Sequence, residues 1–142
     1  ILRKPLQLDT TDFLLLNAAL LLHNAGFFGL YTKTFIVGYD VYVHLINAAI
    51  IAIVTYKSLA RTTKNTKTLL AVTAISISIT LGAAVELIEF TGHQLLESQG
   101  TGIGLAGVGA QGAYKDTMKD TIMNILGASI GVLGTTMKKN HH

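Results

Sequence analysis

The stretch AYKDTMKDTIMNILGASIGVLG, residues 113–134, opens with charges and ends as apolar as lipid. Asp116 and Asp120 are four residues apart, so a helix puts them on one face, and Asn124, Gly127 and Gly131 continue that stripe. Two acids, an amide and small residues along one line of an otherwise hydrophobic helix describe a membrane span. Its polar stripe would face protein rather than lipid.

The rest of the chain agrees. Of 142 residues, half are hydrophobic and only 13% are charged, against about 25% in an ordinary soluble domain. Mean hydropathy is +0.50. With no cysteine, the chain has no disulfide, iron–sulfur or thiol chemistry of its own. The net charge of +3 is too small and too scattered for a nucleic-acid partner. The chain opens at Ile1 rather than Met, as a chain lacking a leader or first segment would. The closing His141–His142 pair reads as a tag remnant and enters no site.

Four apolar stretches, 13–30, 34–56, 69–90 and 116–137, are each long enough to cross a hydrocarbon layer of about 30 Å. The expected fold is a single all-α transmembrane domain: an integral membrane four-helix bundle in the bilayer of the cell membrane. Basic residues set its orientation. Arg3, Lys4, Lys138 and Lys139 flank the ends, and Lys57, Arg61, Lys64 and Lys67 crowd the middle loop. Both termini and that loop are therefore expected in the cytoplasm. The glycine-rich segment SQGTGIGLAGVGAQG, residues 98–112, then lies outside. Its G-x-G-x-x-G carries no dinucleotide site, because no strand precedes it and no βαβ unit surrounds it.

Ionisable residues gather at the outer ends of these spans. The second contributes Asp40 and His44, the third Glu86, Glu89 and His93, the fourth Asp116 and Asp120, and the first His23. Measured from the expected span ends, Glu86 and Asp120 are about 6 Å deep, Asp40 about 9 Å and His23 about 10 Å. Four spans thus put their acids and histidines at one level on one side. Such residues face the bundle interior, and several carboxylates brought together need a cation, shared protons or a basic partner. Carboxylate oxygens with imidazole suit zinc, manganese, iron or copper. The candidate ligands of a divalent metal ion are Asp40, His44, Glu86, Glu89, Asp116 and Asp120. Asp40, His44, Glu86 and Asp120 are also the candidate acid/base residues.

Plainer readings stand beside these. Asp116 near a helix start is favoured by the helix dipole alone. His23 reads as a hydrogen-bonded packing residue. Glu97 and Lys119 read as solvated interface residues, and Gly127, Gly131 and Gly134 as a packing face.

The motifs LLHNAGFFGLY, GYDVYVHLINA, ELIEF and GAQGAYKDTMKDTIMNILGA together resemble the YjdF-type family of small polytopic membrane proteins. The second half is also similar to the VanZ-like family. The resemblance spans residues 21–134 and implies site roles for Asp40, His44, Glu86, Glu89, Gln111, Asp116, Asp120 and Asn124. Gln111 and Asn124 would be supporting cofactor-binding residues. Val85 departs from the pattern where an aromatic is usual, and Ala113 where an acid is common. A span usual upstream in that family is missing here. The VanZ-like resemblance implies an envelope or lipid-linked substrate.

Three functions compete at this point. The first is a metal or acid/base site acting on an amphiphilic substrate. The second is a non-catalytic helical subunit of a larger membrane complex, making helix–helix contacts with itself or with other subunits. The third, an ion pathway, is opposed by the apolar inner halves of the spans.

Overall fold

The computed structural model describes residues 5–33, 35–97 and 109–138. Four helices account for most of them: α1 (Thr10–Phe27), α2 (Tyr39–Thr62), α3 (Lys67–Glu97) and α4 (Gly109–Lys138). A 3-10 turn at Leu30–Thr32 follows α1. The four-helix all-α fold expected from the sequence is what forms. Two of the helices, α2 and α3 over Lys67–Gly92, are long and apolar enough to cross a membrane by length and composition.

The helix ends differ from the expected span ends, for local reasons. Asp9 caps α1, accepting from Asp12 N at 2.8 Å while its own N–H reaches back to Asp12 Oδ2 at 3.2 Å. This reciprocal pair satisfies two of the donors a helix start leaves open. Gly29, at φ 104°, makes the left-handed turn after α1 that a side chain would oppose. Gly38 then caps α2, so this helix begins at Tyr39 and not at residue 34. The helices α3 and α4 overrun their apolar windows, to Glu97 and from Gly109. Charged residues in these overhangs continue the backbone hydrogen-bond ladder without having to enter the apolar layer.

Helix α2 is the centre of the bundle and packs against α1, α3 and α4. Small residues permit its closest approach, to α4. A Cβ on Gly127 would stand 2.1 Å from the Leu45 carbonyl oxygen, and one on Gly131 2.6 Å from that of Ala49. Two of the three glycines in the stripe are therefore spent inside the chain, while Gly134 has nothing within 4 Å of its Cβ position among the described residues. Below this seam, Ala52, Tyr56, Leu70, Ala74, Ala128 and Val132 form one core cluster. Ala19, Ile50 and Val54 join α1 to α2. The large apolar side chains point mostly outward, among them Leu21, Leu87, Ile88, Ile130 and Leu133. An apolar exterior over a core of alanine and glycine is how helices pack where lipid is the solvent.

Candidate functional site

Asp40 and His44, i and i+4 on α2, share a face, and His44 Nε2 lies 3.2 Å from Asp40 Oδ1. On its other side His44 Nδ1 lies 3.1 Å from Glu86 Oε1 of α3. The imidazole thus bridges two carboxylates from two helices. The fourth helix adds Lys119, whose Nζ stands 3.0 Å from Asp40 Oδ2, 2.6 Å from Asp116 Oδ1 and 3.5 Å from Asp120 Oδ1. Potential ligand atoms of Asp40, His44 and Asp120 lie within 4.8 Å of one another, and so do those of His44, Glu86 and Glu89. His44 is common to both groups.

Burial is deep where the charge is greatest. Glu86 is 3% exposed, Asp120 2% and Asn124 4%. Glu86 Oε1, Asp120 Oδ1 and Asn124 Nδ2 have no hydrogen-bond partner among the described residues. The His44 and Lys119 nitrogens, 3.1 and 3.5 Å from those two oxygens, meet them as ion pairs without hydrogen-bond alignment. Five carboxylates (Asp40, Glu86, Glu89, Asp116 and Asp120) therefore face one lysine and one histidine. Buried charge without a partner is costly, so this arrangement calls for a further positive charge or for protons.

Three expectations change. The residues do meet, but not because each lies near its own helix end. Asp40 is the second residue of α2, about 1.5 Å from its start, while Glu86 and Asp120 each lie eleven residues from the nearer end, about 16 Å. The overhangs of α3 and α4 make up the difference. Asp116 is beyond the first turn of α4, so the helix dipole does not explain it; its partner is Lys119. Lys119 is not a merely solvated residue but the hub of three aspartates. The spacing D-x-x-K-D in residues 116–120 carries this signal, since i and i+3 are helix neighbours.

The remaining candidates divide. Asn124 lies one turn below Asp120, packed against Gly82, where a Cβ would come within 2.6 Å of its Nδ2. Gln111 is exposed in the first turn of α4, and none of the polar contacts above includes it. His23 pairs its Nδ1 with the Tyr31 hydroxyl at 3.1 Å, as a hydrogen-bonded packing histidine does. The His93 and Glu97 side chains and residues 98–108 lie outside the described part.

Under the cluster is a cavity of about 290 Å³ lined by all four helices, with His23, His44, Asn47, Ser78 and Asn124 among mainly apolar walls. A second recess, about 250 Å³, reaches Glu86 from the α3–α4 side beside Tyr114 and Thr121.

At the far end of the bundle is a polar cluster that composition did not single out. Asp12, 0% exposed, receives both Lys57 and Arg61. Arg61 also donates to Asp9 Oδ2 at 2.6 Å and to the Gln7 carbonyl at 3.1 Å, and Ser58 donates to the Leu6 carbonyl at 2.7 Å. Burial alone would raise the Asp12 carboxyl; hydrogen bonds from Arg61, Lys57 and the backbone outweigh it and hold it below the ordinary carboxylate value. Its charges balance, so it reads as a clasp rather than a site. The D-x-x-D capping pattern of residues 9–12 was its only local signal.

Compared with curated proteins and with solved structures, the chain finds no match. The family described as Predicted membrane protein (DUF2238) matches residues 2–140. An apolar exterior, two helices able to span a bilayer and a match over nearly the whole length lead to one conclusion: the chain belongs to this family of predicted membrane proteins.

Proposed function

We propose that this is a multi-pass protein of the cell membrane, with both termini cytoplasmic. A divalent cation is held between α2, α3 and α4 near the outer leaflet. The observation that carries this reading is the surplus of carboxylates around His44, with buried oxygens of Glu86 and Asp120 that find no hydrogen-bond partner among the described residues. His44 is the ligand common to two sets, with Asp40 and Asp120 or with Glu86 and Glu89 as the oxygen donors, and Lys119 neutralises the side nearest Asp116. Such a cation would supply Lewis-acid polarisation of a phosphate or carbonyl. The cavity beneath supports a lipid-like or envelope substrate. His44, set between Asp40 and Glu86, is placed to pass a proton through the ring nitrogen that the cation does not take.

The subunit reading has less to draw on, because Gly127 and Gly131 are taken by α2 and only Gly134 of that stripe is open. Metal analysis of the purified chain tests the proposal. About one equivalent of a divalent metal is expected, falling to well below half in His44→Gln. A parent chain without metal after purification from metal-supplemented cells, and with no melting response to zinc or manganese, would overturn it.

A further inference from the structure

We propose that the cavity beneath the cluster binds a single-chain lipid bearing a neutral hydroxyl head, admitted sideways between α1 and α3. This rests on the membrane reading above but not on the cation.

The cavity is graded. On α2 its wall runs from His44 through Asn47 and Ala48 to Ile51, about 10 Å along the helix. Opposite, α3 runs from Val85 through Gly82 and Leu81 to Ser78, and α1 from His23 to Leu16. The end nearest the carboxylates is polar. The other end is apolar, for the Ser78 hydroxyl is already spent on the Ala48 carbonyl at 2.8 Å. A ligand with one polar end and one hydrocarbon chain matches that gradient. The volume, about 290 Å³, is at the low end for ligand sites and suits one chain rather than two.

Two amides define the head. Among the described residues, Asn124, 4% exposed, finds no partner for its Nδ2 donor, and Asn47 none for its Oδ1 acceptor. Unmet buried groups of this kind are costly unless a ligand satisfies them. A hydroxyl is the smallest group that accepts from one and donates to the other. A carboxylate head offers Asn47 no proton and would sit one turn from Asp40, Glu86 and Asp120. An ammonium head offers Asn124 no acceptor.

The route in is lateral. Among the described residues, α1 packs on α2 and the following 3-10 turn, with no Cα within 8 Å of α3 or α4. Yet α1 and α3 both line the cavity. Leu20 and Leu81, two of the lining residues, are 57% and 49% exposed. In a bilayer such a gap faces acyl chains rather than water.

The test uses the purified full chain in detergent and a photoreactive diazirine analogue of hexadecanol, with labelled peptides mapped by mass spectrometry. Label is expected in residues 16–20 and 81–85. Unlabelled hexadecanol should compete about tenfold better than hexadecane, palmitate or hexadecylamine, the scale of one buried hydrogen bond. Asn124→Leu should cut labelling about tenfold. Leu81→Trp, at an exposed position that folding tolerates, should block it at the mouth. Equal competition by hexadecane, or label spread over the outer faces of α3 and α4, would overturn the site. Repeating the labelling in EDTA separates the two proposals. Labelling that persists after EDTA has stripped the metal shows that the lipid site stands without the cation, labelling in a parent chain that holds no metal as purified overturns the cation alone, and metal retained without selective labelling overturns the lipid site alone.

Discussion

His44 Nδ1 lies 3.1 Å from Glu86 Oε1, joining α2 to α3. The same ring reaches Asp40 on its own helix through Nε2 at 3.2 Å. Both nitrogens being so engaged, any ion bound at His44 must displace one carboxylate from the ring and take it as a ligand. The pair is therefore the joint at which binding of the proposed cation would be coupled to helix packing.

Asp120→Asn keeps size and hydrogen bonding and deletes one negative charge. With a cation bound, the change should lower metal content and melting temperature together, since ligand binding stabilises only the folded state. In a cluster without a cation, it relieves repulsion and leaves stability equal or higher. Metal analysis and a thermal melt of the same sample distinguish the two, and a raised melting point in a metal-free chain would refute the site.

Removing the lysine has the opposite electrostatic sense. Lys119→Met should destabilise the chain by about 1–2 kcal/mol, a modest figure because the side chain is partly exposed. It should also steepen the dependence of melting temperature on added divalent cation, because a competing positive charge has gone. No change in that dependence would show that Lys119 does not share the cluster's charge.

The clasp at the other end makes a pH prediction. Asp12 is held below its ordinary value by Arg61 and Lys57 against the pull of burial. Its contribution to stability is thus complete above the unfolded carboxylate value of about 3.9 and is lost as pH falls through the lower folded value. Asp12→Asn should cost about 2 kcal/mol at pH 7 and flatten the acid limb of the stability curve. An unchanged acid limb would mean that other carboxylates govern it.

Gly127 and Gly134 provide a paired test of packing. Gly127→Ala should destabilise by about 2 kcal/mol or more, since the new Cβ meets a backbone carbonyl that cannot turn aside. Gly134→Ala, with open space around it, should be neutral or stabilising by up to about 1 kcal/mol. Equal effects in denaturant titrations would contradict the close α2–α4 seam.

Orientation is open to cysteine chemistry, because the chain has no cysteine of its own. In intact cells a membrane-impermeant maleimide should react with a single cysteine at Gln111 and not with one at Thr63, which should react only once the membrane is opened. Reaction of both from outside would sink the proposed topology.

Much of this molecule is local and was therefore legible in its residues. Hydrophobic length marked out four helices, and the i, i+4 period placed Asp40 with His44 and Asp116 with Asp120. The smallness of Gly127 and Gly131 announced a close contact. Partners across helices were not local. That Lys119 would serve Asp40, 79 residues away, depends on where α2 begins and on how far α4 runs past its apolar window. Hydropathy does not record this, because a polar overhang stays helical once its backbone ladder has started. The same holds for Asp12, whose partners Lys57 and Arg61 are 45 and 49 residues away. Those two residues look like simple orientation charges until α1 is laid against α2. The sequence by itself determined which side chains each helix face would carry. Only the tertiary structure decided which faces met, since helix register and overhang are settled by packing between segments and not within them.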